Sequence, residues 1–167
     1  MAANGSARCR FEAEGCAYSL RRCARAVADV PLSPDEQEPS QNRVNQLVAI
    51  AAGGALGALL RFWVAGGVAA WLGRDFPYGT LIINVSGSLA MGVLYVLLLE
   101  RFDVSPLWRG SLLVGLLGAF TTFSTFSIET VNLIEAGEGM KALANVLFSV
   151  ILCIGATAAG LVIGRQL

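Results

Sequence analysis

Beyond residue 43 the chain alternates between long apolar blocks and short polar connections. Four blocks, 46–72, 80–99, 109–134 and 141–164, each reach the length of about 20 residues that a bilayer crossing needs. The connections "GRDFPYG" (73–79), "ERFDVSPLW" (100–108) and "EAGEGM" (135–140) carry the glycine and proline punctuation of turns. The pattern predicts an all-α, multi-pass membrane protein with four transmembrane helices, the domain spanning 44–167. An even number of crossings puts both ends of that domain on one side of the lipid bilayer.

Residues 1–43 break the pattern. They hold six arginines and six acids and end in the proline- and charge-rich "PLSPDEQEPSQNR". No apolar core of secretory length follows the arginines, and the acids argue against an organellar presequence. The segment reads as a disordered leader. Val44 opens "VNQLVAIAAGG" where the membrane pattern begins, and a valine codon can serve as a bacterial start, so a misassigned start is one reading of the leader. An intact mass beginning at Met1 would rule it out.

Composition sharpens the class. The chain of 167 residues is 55% hydrophobic and 14% charged, with mean hydropathy +0.63. A soluble domain carries about 25% charge. Net charge is zero, which offers nucleic acid no electrostatic footprint. There is no histidine, which excludes Ser-His-Asp and Cys-His catalysis and every histidine-containing metal site. Cys9, Cys16, Cys23 and Cys153 form no C-x2-C pair and read as free thiols. The expectation is a protein that is not an enzyme.

Charge asymmetry bears on topology. Arg101, Arg109 and Arg165 fall on the side of the termini, against Arg74 and Lys141 on the other; Arg43 raises the first count to four. So small a bias suggests insertion in both orientations and an antiparallel, dual-topology dimer. Gly53 and Gly57 form a G-x-x-x-G in the first span, a spacing that lets helix backbones approach in lipid. Arg61, in the same span, is costly to bury and reads as structural, snorkelling or capping carbonyls.

The third span carries the chemistry. "GAFTTFSTFSIET" (118–130) concentrates four threonines, two serines and a glutamate among aromatics. Two readings stay open. The helix breaks beside Gly118, and freed carbonyls near Gly118–Thr121 hold a cation. Alternatively the helix is continuous and its hydroxyls bond their own i−4 carbonyls. Past this point Phe123 and Phe126 share one helix face, while Thr122, Thr125 and Glu129 share another. Aromatic edges are positive and can face an anion in a dry site. Glu129 is the acid placed clearly inside a span, a position that marks function by default. In the second span, Asn84 can donate two amide hydrogens to an anion. Its N-x-S pattern is a false glycosylation signal inside a membrane, and Ser86, Gly87, Ser88 and Gly92 read as packing residues.

These blocks, "GGALGALLRF" (53–62), "GTLIINVSGSLAMG" (79–92) and "GLLGAFTTFSTFS" (115–127), closely resemble those of the CrcB/Fluc family of fluoride-specific ion channels. The resemblance covers residue 44 to the last residue. It implies an antiparallel homodimer in a bacterial inner (plasma) membrane, with the third helix broken at its centre and fluoride leaving the cytoplasm passively. It implies a structural, untransported sodium ion at the dimer centre, held by backbone carbonyls at Gly118 and Thr121. Asn84, Phe123 and Phe126 match residues that contact fluoride; Ser124, Thr125 and Glu129 match the polar track beside them, and Arg61 matches an arginine of the first block. In the fourth helix Ser149 matches a pore serine, Asn145 stands where many relatives have tyrosine, and Cys153 replaces a second serine.

Two other classes compete. A small dual-topology, proton-coupled exporter of the multidrug-resistance type needs an acid in its first helix, where this chain has Arg61. A non-transporting assembly subunit would leave Asn84 and the phenylalanine pair without a purpose.

Overall fold

The computed structural model describes residues 40–102 and 104–167. Residues 1–39 of the leader, with Cys9, Cys16 and Cys23, lie outside the described residues. Ser40–Leu167 form one compact unit, and among the described residues every element is helical. Four helical stretches are long and apolar enough to cross a membrane, at Gln41–Leu72, Tyr78–Arg101, Pro106–Glu135 and Gly139–Gln166.

We label five helices. Helix α1 is Ser40–Leu72, which begins four residues ahead of Val44. Helix α2 is Tyr78–Tyr95, prolonged by a π-helical turn at Val96–Arg101. Helix α3 starts as Pro106–Arg109, widens into a π-helix over Gly110–Leu117 and closes with Gly118–Phe120. Helix α4 is Phe123–Glu135 and α5 is Gly139–Gln166. The π-helical stretches have no counterpart in the hydropathy pattern, because widening the hydrogen-bond register leaves the apolar run intact.

The turns follow local chemistry. Pro106 occupies the first helical position of α3, where its missing N–H costs nothing. Helix α4 closes with Gly137 at φ 77°, while Gly137 N–H donates to Ile134 O at 3.0 Å and Glu138 N–H to Leu133 O at 2.8 Å. That pair of bonds is a Schellman motif, and it lets α5 start two residues later. At the opposite end, Arg101 Nη2 donates to the Arg165 carbonyl at 2.7 Å, and Arg165 Nε lies 3.5 Å from Glu100 Oε2. The ends of α2 and α5 therefore meet on one side, as four crossings require.

Two glycine seams hold the bundle. On the first, a Cβ added to Gly53 or Gly57 would run into the carbonyls of Ser111 or Leu116, and one on Gly115 would lie 2.6 Å from Ile50 O. The G-x-x-x-G of α1 thus packs on α3. On the second, a Cβ on Gly160 would meet the Leu89 carbonyl and lie 3.0 Å from Gly92 Cα, and one on Gly164 would lie 2.9 Å from Val96 Cβ. Here α2 and α5 approach backbone to backbone, which maximises dispersion contact where lipid offers no hydrophobic drive.

Between the seams the buried positions are mixed. Ile83, Val96, Leu117, Phe126 and Ala142 are buried, and so are Thr80, Thr122, Asn145 and Ser149. Large apolar side chains such as Leu47, Phe62, Trp71 and Ile154 face outward. Lipid tails solvate such a surface, and hydroxyls and an amide share the middle of the bundle with apolar side chains.

Candidate functional site

The site grows from two residues between α3 and α4. Thr121 (φ −77°, ψ 154°) and Thr122 (φ −149°, ψ 112°) have extended backbone. Two side chains and a glycine hold this geometry. Thr122 caps α4, its hydroxyl accepting from Thr125 N–H at 3.2 Å and donating to Thr125 Oγ1 at 2.9 Å. Asn84 of α2 clamps the same residue from both sides: Thr122 N–H donates to Asn84 Oδ1 at 2.8 Å, and Asn84 Nδ2 donates to Thr122 O at 3.0 Å. Gly87, one turn further along α2, leaves room for the Thr121 methyl, which a Cβ there would strike.

These bonds divert donors from the helix ladder. In a continuous helix the Thr122 N–H would serve Gly118 O and the Thr125 N–H would serve Thr121 O. Both are spent on side chains instead, so neither carbonyl receives its i+4 bond. Three other hydroxyls behave as the continuous-helix reading expects. Thr121 Oγ1 donates to Leu117 O (3.0 Å), Ser127 Oγ to Phe123 O (2.9 Å) and Thr130 Oγ1 to Phe126 O (2.7 Å). The cluster thus divides: the Thr122, Ser124 and Thr125 hydroxyls gather beside the extended pair, and those of Thr121, Ser127 and Thr130 bond back along their own helices.

The site residues fall around two cavities rather than one. The first, of about 400 Å³, is lined by Asn84, Thr122, Phe123, Phe126, Ser149 and Cys153 among others. The rings of Phe123 and Phe126 stand with centroids 5.3 Å apart at 48°. Phe126 is 9% exposed and Phe123 79%, so one ring is sunk in the protomer and the other lies on its surface. Thr122 takes one of the two Asn84 amide hydrogens, and the other makes no hydrogen bond among the described residues.

The second cavity, of about 510 Å³, holds Thr125 and Glu129 with Thr80, Asn132, Arg74 and Asp75. Thr80 lies beside the Glu129 carboxyl, while Glu129 Oε2 is closed to solvent and has no partner among the described residues. Ser124, with its hydroxyl 3.4 Å from Thr122 Oγ1, lines neither cavity. Arg61 is half-exposed on α1 and lines neither. Sequence reasoning missed Thr80 and the bond from Asn145 Nδ2 to Thr130 Oγ1 (2.9 Å). The spacing of Asn145, Ser149 and Cys153 at i, i+4 and i+8 was the available signal for a polar stripe on α5.

Four apolar crossings around a polar, hydrogen-bonded interior define a multi-pass membrane protein, which in bacteria resides in the plasma membrane. The chain belongs to the family described as "CrcB-like protein, Camphor Resistance (CrcB)", which matches residues 48–161. It is 58% identical over 121 residues to the fluoride-specific ion channel FluC of Methylococcus capsulatus, covering 72% of this chain and 53% of that protein. The chain therefore spans about half the length of that relative. It is 51% identical to the FluC of Magnetococcus marinus, over 72% of this chain and 98% of that one. Identity to the FluC of Hydrogenovibrio crunogenus is 48%, over 74% and 93%.

Proposed function

We propose that the protein is a fluoride-specific channel that lets fluoride leave the cytoplasm passively, lowering its toxicity. The observation that carries this reading is the first cavity. It presents a phenylalanine pair, one free amide hydrogen of Asn84 and the Ser149 hydroxyl, with no lysine or arginine on its wall. Ring edges and neutral donors replace the water of a small anion without trapping it, as a fixed cation would. Relatives at 48–58% identity bear the name of fluoride channels.

The working unit in this reading is an antiparallel, dual-topology homodimer. Phe123 stands on the protomer surface and the first cavity is bounded by one protomer alone, so a second copy would complete its wall. Fluoride passes Asn84 and the ring edges, then reaches the polar track of Thr125 and Glu129 in the second cavity. Ser124 fits the track least well, since it borders neither cavity.

The third span works here as a broken helix, and its loosened carbonyls at Gly118 and Thr121 suit a sodium ion. Asn84 and Thr122 take the donors that would otherwise satisfy those oxygens. Bound there, the ion would supply fixed positive charge to two backbone oxygens that face none of their helical partners. The exporter reading draws no support, because α1 carries Arg61 and no acid. Fluoride efflux from liposomes, with chloride as control, tests the proposal.

A further inference from the structure

Asn145 is 1% exposed, on the face of α5 that meets α4. A primary amide so deep in a membrane bundle is expensive unless its bonds are made. Asn145 Nδ2 donates to Thr130 Oγ1 at 2.9 Å, and that hydroxyl donates to Phe126 O at 2.7 Å. The order is forced. An amide NH2 has only hydrogens to give, so the threonine oxygen accepts and its own hydrogen is left for the carbonyl. A threonine back-bonded to its i−4 carbonyl otherwise has a second helical χ1 rotamer open to it. Here a second helix fixes it.

The relay ends on Phe126, the ring that is sunk in the first cavity and set against Phe123. We propose that Asn145 is a positioning residue for Phe126. Through Thr130 it fixes the α4 turn that aims this ring into the anion path. The inference rests on the fluoride-channel reading and adds to it a residue that borders neither cavity. A merely structural Asn145 would join α4 to α5, affect stability, and leave the ring's aim and the halide preference unchanged.

The test measures initial fluoride efflux and the fluoride-to-chloride ratio in liposomes, with each protein first checked for a single folded peak by gel filtration. Thr130→Val and Asn145→Leu each remove the relay. Each is expected to lower fluoride efflux about tenfold, the loss of one charge-free hydrogen bond's worth of ring positioning. The fluoride-to-chloride ratio should fall with it. The double variant should lose about the same tenfold rather than about a hundredfold, because one chain of bonds is broken twice. Thr130→Ser keeps the hydroxyl and should stay within about twofold of the parent. Wild-type efflux and selectivity in every folded variant would overturn the inference, and so would multiplying losses. If Asn145→Leu does not fold, Thr130→Val against Thr130→Ser decides alone. Absence of fluoride flux in the parent would instead overturn the channel reading beneath it.

Discussion

Asn84→Leu removes a clamp of known geometry. Two hydrogen bonds are lost, Thr122 N–H to Oδ1 at 2.8 Å and Nδ2 to Thr122 O at 3.0 Å. The leucine roughly fills the volume, so the change is mainly polar. The groups left behind are a backbone donor and a backbone acceptor at a residue 6% exposed. An average side-chain bond between membrane helices is worth about 0.6 kcal/mol, because the unfolded chain finds other partners. A closed-off backbone group without a partner costs more, about 1–3 kcal/mol each. At Thr122 the second case applies, since neighbouring turns cannot reach those two groups without rebuilding the interruption. For the two groups together the expected loss is about 2–6 kcal/mol. Titration with a denaturing detergent, followed by helical circular dichroism, measures it. Ser86→Ala removes a back-bond to Ile82 O on α2 and should stay within about 0.5 kcal/mol. An Asn84→Leu protein as stable as Ser86→Ala would refute the clamp.

Three further outcomes follow from the geometry. Gly160→Ala places a methyl against the Leu89 carbonyl, a backbone atom that cannot turn aside, and should destabilise the protein by about 1–3 kcal/mol, whereas Gly66→Ala faces open space and should be silent in the same titration. Cys153 lines the first cavity, so in a Cys9/Cys16/Cys23→Ser background a small thiol reagent should block fluoride efflux, and unaltered efflux after complete labelling would take the cavity off the anion path. Replacing sodium by a bulky organic cation on both sides of the liposome should abolish fluoride flux, while full flux without sodium would remove the ion from Gly118 and Thr121.

Much of the fold was legible in the hydrophobic pattern. Apolar length set the four crossings, and three helices start a few residues before the apolar run: Tyr78 rather than 80, Pro106 rather than 109, Gly139 rather than 141. The glycine seam of α1 was visible as G-x-x-x-G, while its counterpart at Gly160 and Gly164 has the same spacing and went unread. A break beside Gly118 and a continuous helix were both open, because local sequence does not say which hydroxyl turns away from its helix; the backbone is extended at Thr121 and Thr122. That choice belongs to Asn84, which lies 38 positions away in the chain and reaches Thr122 only after the bundle forms. The separation of Glu129 from the phenylalanine pair was hidden for a similar reason. Helical spacing assigned them different faces, and packing with α1, α2 and α5 gave each face its own cavity.

The central claim is passive, fluoride-selective conduction. The most direct measurement loads liposomes containing the purified protein with fluoride or chloride and follows release with ion-selective electrodes after the membrane voltage is clamped by a potassium carrier. A fluoride-selective channel releases fluoride rapidly, retains chloride, and loses the fluoride signal in Phe126→Ile. Equal release of the two halides, or none from a folded and sodium-bathed protein, would contradict it.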